Sequence, residues 1–422
     1  MKIEIHKGLD QIGGCITEIS TKTSRVFIDM GSDLPGNGVR LTPEQEKALV
    51  EGLFAQNKKL HEAVIYTHGH EDHVGLFDYV PEGISQMIGE GAKEVLLAKY
   101  KLLCKKDRLV GEDATIDERK MAKLKAFETW PRSFEPKPFS VGDIQITPFF
   151  NCHSIYDSYM FLIEAEGKRV WHMGDYRQHG WIGSKLMKLL KWKATDIDVL
   201  MTEGTMLGRD DECVTEKVVS EKMTHVMQAF KYVFVLASAT DIERLASINL
   251  AAKNAHKQLY ICSGLMNSAM RIFTRRESQK AGDLFDFKPR FYDEEKHLES
   301  MKKRGFVMVA GVSQYANVAL LRDCLPEEEI LFIYSSWDGY YKDPEQVMLN
   351  PRYKLFRESF HNVVDIHTSG HADRQTIEEV IETVNPQRAI IGIHKDAGQT
   401  LESLNLSEEL KQKIVNQTVL EW

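Results

Sequence analysis

The chain has 422 residues, 54 Lys+Arg against 62 Asp+Glu, and a formal net charge of -8. Its 43% hydrophobic and 27% charged residues are ordinary globular values that exclude a disordered chain, a collagen-like chain and a coiled-coil rod, and the length suits two or three domains. The acidic balance excludes coating of nucleic acid by bulk charge and leaves only local grips on phosphate.

No apolar run approaches the roughly 18 residues of a membrane span. The start, MKIEIHKGLD, has no apolar h-region and does not read as a signal peptide. Six scattered cysteines form no CxxC pair, which fits a reducing cytoplasm better than a disulfide scaffold or a cysteine zinc site.

In chain order, IEIHKG, CITEIS and SRVFIDMGS read as strands, with Gly13-Gly14 as a turn between two of them. Residues 43–60 read as an amphipathic helix, and AVIYT (63–67) as a short strand that stops at His68. Strands are expected at 95–98, 144–150, 158–164, 169–173 and 197–202, with a helix at 114–128. Strands in pairs followed by helices suggest a sheet sandwich covered by helices. From about 211 to 345 single apolar strands alternate with long helical segments, the pattern of a parallel α/β layer set inside the first domain. After 360 a strand–loop–helix pattern returns in VVDIHTSGHAD, a helix at 374–384 and RAIIGIH.

The densest chemical signal is Thr67-His68-Gly69-His70-Glu71-Asp72-His73, directly after a short strand. Imidazoles at i and i+2 on a tight loop can converge on one cation, and the aspartate and histidine that follow can turn toward a second. Such ligands suit Zn²⁺; the bland alternative is a solvated His-rich turn.

This loop resembles that of the metallo-β-lactamase fold superfamily. The superfamily adds a further histidine and a bridging aspartate, each after a strand, matched here by His153 and Asp175. Taken singly, His153 would be a surface histidine and Asp175 a turn residue. Asp29 in IDMG matches the family's early buried aspartate, which supports the loop without binding metal.

Three later features narrow the resemblance to the β-CASP nucleases: Glu203 in LMTEGT, His371 in HTSGHAD, and His394 at the end of RAIIGIH. The HTSGHA string is most similar to bacterial ribonuclease J, here without that family's C-terminal domain. Singly, Glu203 could cap the next segment, His367 and His371 could be loop histidines, and His394 could close a strand.

The resemblance implies an αββα metallo-β-lactamase sandwich with an inserted β-CASP α/β domain, divided 1–205, 206–345 and 346–422. It implies two cations, Zn²⁺ or alternatively Mn²⁺. His68, His70 and His153 would hold one; Asp72, His73 and His394 the other; Asp175 would bridge. Asp72, Glu203 and His371 would be catalytic, with His371 protonating the departing 3′ oxygen and Glu203 orienting it. His367, Ser369 and His371 would hold a substrate phosphate.

The implied function is a metal-dependent ribonuclease in the cytoplasm. Endonuclease and 5′→3′ exonuclease action both stay open, as does a homodimer. His394 at this motif favours RNA over DNA, since DNA-processing relatives usually carry valine there. Two competing readings share the metal loop: a small-molecule hydrolase of thioesters or lactones, and a non-catalytic scaffold.

Outside these motifs, His172 is expected to be structural. The basic groups Lys99, Lys101, Lys105, Lys106, Arg108 and Arg271, Arg275, Arg276, Lys302, Lys303, Arg304 read as solvated faces rather than an RNA groove. Trp337 and Tyr340 read as packing residues rather than base-stacking platforms.

Overall fold

The computed structural model describes residues 1–35, 40–106, 111–209 and 213–421; the side chains of 105–106, 111–117 and 279–281 are outside that description. The chain forms two compact units. One comprises Met1–Gln178, Ile182–Glu212 and Gly370–Trp422; the other His179–Trp181 and Cys213–Ser369.

The first unit contains two seven-stranded sheets. Alternation along each strand decides which layer a side chain joins. In the strand His61–Ile65, Ala63 and Ile65 point into a core shared with Ile163, Val170 and Met201 of the other sheet. Val64 and Tyr66 point the other way, onto Val50, Phe54, Ala92 and Leu96 of the covering helices. The second sheet repeats this: Val199 and Met201 face inward, while Leu200 packs with Leu186, Leu190, Ile377 and Val380. The result is a four-layer αββα sandwich of the metallo-β-lactamase kind.

Strand direction brings the motif residues to one edge. Ile144–Phe150 and Lys168–His172 are each antiparallel to Tyr159–Ala165, so they run the same way. Val199–Glu203 and Ala389–Ile393 join that ladder in parallel. All four therefore end at the same edge, where His153, Asp175, Glu203 and His394 lie within or just after them.

The second unit is built on a six-stranded parallel sheet. Tyr232, Phe234, Phe306, Met308 and Phe332 form one face of its core.

Two expectations of secondary structure change. Residues 95–98 lie inside the helix Glu90–Lys106. Ala92, Leu96 and Tyr100 are buried at four-residue spacing, and a run as short as VLLA cannot distinguish helix from strand. The helix expected at 114–128 spans Gly111–Lys125 and is followed by the strand Glu128–Trp130. The observed second unit also extends beyond 345, because Val363–Asp365 pairs in parallel with Ile330–Tyr334 and Phe356 and Phe360 join its core. No helix among the described residues is long and apolar enough to cross a membrane.

Candidate metal centre

The histidine loop is held before any metal is considered. Asp29, just past the strand Ser24–Ile28, has φ +64°, a region costly for a residue with a Cβ. Its Oδ1 accepts the Thr67 N–H at 2.7 Å, and its Oδ2 accepts the Thr67 hydroxyl at 2.8 Å. Oδ2 also lies 2.7 Å from His73 Nδ1, which fixes that ring with Nε2 facing the cluster. From the other side, the N–H groups of Cys15, Met30 and Ser32 donate to the carbonyls of Asp72, His73 and Glu71 at 3.0, 2.8 and 3.0 Å. This close approach requires Gly31, since a Cβ there would meet the Asp72 carbonyl oxygen at 1.7 Å.

Seven candidate ligands converge. His70 Nδ1 lies 3.0 Å from His68 Nε2 and 3.2 Å from His153 Nε2. His394 Nε2 lies 3.1 Å from Asp72 Oδ2. Asp175 Oδ2 sits between the groups, 3.2 Å from His73, 3.5 Å from His394, 3.7 Å from His153 and 3.9 Å from His68. Tetrahedral zinc with bonds of about 2.0–2.1 Å to nitrogen would set its ligand atoms about 3.3–3.4 Å apart.

Two buried atoms there, His73 Nε2 and Asp175 Oδ2, have no hydrogen-bond partner among the described residues although they lie 3.2 Å apart. Leaving such groups unsatisfied is costly, and a cation between them removes the cost. The donor set therefore fits divalent metal.

The two halves differ in charge. Burial pushes His70 down to about 4 and His68 and His153 well below the usual range, so three neutral imidazoles face one position. Burial opposes ionisation of Asp72 too, but His73 and His394 outweigh it and hold that carboxyl well below its ordinary range. Against burial, Asp175 and Asp72 hold His394 up, and Asp175 with its neighbouring anions holds His73 well up. Metal entering this second position would displace protons. His394 has φ +52°, and its N–H donates to the Gly8 carbonyl at 2.6 Å.

Beside the ligands, His371 Nδ1 lies 2.8 Å from Glu203 Oε2. Glu203 is fully buried, and its Oε1 accepts the Tyr176 N–H at 2.9 Å and the Ala372 N–H at 3.4 Å. The His371 ring stands 4.9 Å from that of His153 and 5.4 Å from that of His394. Its neighbour Gly370 accepts from His153 Nδ1 at 2.7 Å, which orients that candidate ligand.

His367 and Ser369 fall in the second unit and His371 in the first, so the expected phosphate-binding trio belongs to two units. Within the second unit, buried Arg244 donates to Glu216, to the Ser335 hydroxyl at 2.7 Å, to the Thr368 carbonyl at 3.1 Å and to His367 Nδ1 at 2.9 Å. An Nδ1 that accepts leaves the His367 ring proton on Nε2.

The other expectations meet plain surroundings. His172 is buried, and its Nδ1 accepts the Gly174 N–H at 3.2 Å. Lys99 pairs with Glu71. Arg271, Arg275, Lys303 and Arg304 are exposed, whereas Arg108 and the side chains of Lys105 and Lys106 lie outside the described residues. Trp337 packs edge-on to Tyr340 at 5.2 Å, and Tyr340 stacks on Tyr353 at 4.5 Å.

Sequence reasoning assigned no role to Thr205, whose hydroxyl lies 2.8 Å from His394 Nδ1 and 3.2 Å from His371 Nδ1. It also missed Arg244 and the approach of Cys15 to His73 and His394. Thr205 did carry a signal, since it follows Glu203 by two residues at a strand end.

The fold and site thus define a metallo-β-lactamase-type sandwich with a parallel α/β insert. The chain is ribonuclease J-like over nearly its whole length. It is 22% identical to Ribonuclease J of Mycoplasma genitalium over 97% of this chain and 70% of that one. Identity to Ribonuclease J of Thermus thermophilus is 23%, over 90% of this chain and 66% of that one. With Ribonuclease J of Helicobacter pylori it is 28% identical over 42% of this chain and 23% of that one. A crystal structure of a protein of unknown function from Enterococcus faecalis V583 superposes with a TM-score of 0.72 at 18% identity, covering 96% of this chain and 95% of that one. No family model matches the chain.

Two substitutions test the loop. Asp29→Asn should lower metal affinity by about 10–100-fold, because the candidate ligand His73 loses its carboxylate partner; competition with a chromogenic chelator reads this. Gly31→Ala should cost about 1–3 kcal/mol through overpacking, read from the urea midpoint of the first unit. Unchanged values would show that neither contact supports the centre.

Proposed function

We propose that the chain is a metal-dependent ribonuclease that hydrolyses RNA phosphodiester bonds. The observation that carries the reading is the convergence of seven candidate ligands beside a His371–Glu203 pair, in a chain similar to Ribonuclease J proteins almost from end to end. A thioester or lactone hydrolase would use the metal loop, but nothing in the site calls for the Glu203–His371 pair in such a reaction.

His68, His70 and His153 would hold one cation and Asp72, His73 and His394 the other, with Asp175 between them. Divalent metal in such a set supplies polarisation of a phosphoryl oxygen and a nucleophile from water at neutral pH. Zinc suits the imidazole-rich donors, with manganese as the alternative.

The remaining chemistry belongs to the chain. Glu203, itself fixed by two backbone N–H groups, holds His371 through Nδ1. That leaves Nε2 to deliver the proton taken up by the departing 3′ oxygen. His367, with Nδ1 engaged by Arg244, and Ser369 are the donors for a substrate phosphate. A chain at -8 has no bulk attraction for RNA, so a few aimed donors must position it.

His371→Ala should slow the chemical step by about 10²–10⁴-fold with metal content intact. Loss of metal in that variant would make His371 a ligand instead. End-labelled RNA carrying a 5′-monophosphate should be trimmed 5′→3′ while the 5′-triphosphate is spared, and Ser369→Ala should weaken trimming more than internal cleavage. Equal cleavage of monophosphate, triphosphate and circular RNA would remove end selection from the reading.

A further inference from the structure

Arg244 is 1% exposed, within the helix Ile242–Asn254 of the second unit. A guanidinium carries five N–H donors, accepts nothing and keeps its charge throughout the pH range of a folded protein. Here every donor is engaged. Nε donates to Glu216 Oε1 at 3.1 Å, and Nη2 donates to Glu216 Oε1 at 2.9 Å and to the Thr368 carbonyl at 3.1 Å. Nη1 donates to the Ser335 hydroxyl at 2.7 Å and to His367 Nδ1 at 2.9 Å. A buried guanidinium with its donors filled has none left for a substrate phosphate, so whatever it does for one passes through its partners.

Those partners are fixed in turn. Glu216 is fully buried in the first turn of the helix Glu216–Ala229. Its Oε2 accepts the Ser247 hydroxyl at 2.6 Å, and that hydroxyl accepts the Trp181 indole N–H at 2.9 Å. The Ser335 hydroxyl donates to the Ile366 carbonyl at 2.8 Å, which leaves its oxygen to accept from Arg244. Because the Glu216 carboxylate offsets the guanidinium charge, what reaches His367 is a fixed donor rather than a bare cation.

His367 itself is exposed, the setting in which an imidazole ordinarily exchanges rotamers and tautomers. A permanent donor at Nδ1 removes that freedom: the nitrogen keeps its lone pair and the ring proton lies on Nε2. The hold on the Thr368 carbonyl sets the backbone between His367 and Ser369 as well.

We propose that Arg244 is a positioning residue for the phosphate pocket, locking His367 as a neutral Nε2–H donor so that a terminal phosphate is selected by the direction of a hydrogen bond rather than by charge. The proposal rests on the ribonuclease reading above and deepens it. A ring ordered in advance is not ordered at the expense of binding, so loss of the lock falls on KM.

The test is a double-mutant cycle with the full-length, metal-loaded chain on end-labelled 5′-monophosphorylated RNA. Arg244→Gln is made together with Glu216→Gln, so that no buried charge is left unpaired. These changes should raise KM by about 3–10-fold, the effect of one misdirected hydrogen bond, and more than they lower kcat. In a His367→Ala background the same changes should move KM by less than about twofold, because the ring they act through is gone. Equal effects in the two backgrounds, or a loss carried by kcat alone, overturn the positioning role and leave the ribonuclease reading standing. Nitrogen-15 NMR of the histidine-labelled unaltered protein leaves the buried network intact, with the His367 signals assigned by their disappearance in His367→Ala. A single Nε2–H tautomer is expected, and exchange-averaged shifts or a proton on Nδ1 overturn the proposal. No cleavage of any RNA by the metal-loaded unaltered chain overturns the ribonuclease reading and the positioning role together.

Discussion

The Asp29 carboxylate is the contact on which the site rests. One buried side chain, on a residue at φ +64°, binds a backbone N–H, a hydroxyl and an imidazole of the same seven-residue loop. Without it, the Thr67 N–H and hydroxyl lose that acceptor and His73 loses the partner that turns Nε2 inward. Backbone strain of about 1–3 kcal/mol at such a position persists only where its surroundings over-determine it. Here they do, since the carbonyls of residues 71–73 are all held from the opposite side.

Around that fixed loop the charges are divided. Three imidazoles kept neutral by burial face one position, while two carboxylates and two proton-retaining imidazoles surround the other. Asp175 Oδ2 lies against both groups and has no hydrogen-bond partner among the described residues. Protons occupy the place where a cation would sit, so a metal bound there would compete with them.

Much of this was legible because the motif residues follow short apolar strands, and strand ends are where side chains leave the sheet for a shared edge. His153, Asp175, Glu203 and His394 were singled out by resemblance to family motifs that follow strands, and parallel direction in one ladder explains why they meet. Other features were hidden for physical reasons. Cys15 and Arg244 are single residues with no spacing to mark them, and their partners are distant in sequence. VLLA is too short to show its helical period, and the strand Val363–Asp365 has only three residues, so nothing local ties it to the second unit's sheet.

The pairing of Lys2–Lys7 with Val419–Glu421 closes the first sheet with the earliest and latest strands described. His394 is fastened to Gly8 on that same early segment. His68, His70 and His153 are all made within the first half of the chain, while the other half-site waits for a residue beyond the entire insert. Synthesis therefore imposes an order on assembly. His153 is made early, but the Gly370 carbonyl that orients its ring and His394 itself are both made after the insert, so a chain stalled within the insert lacks the finished form of either group.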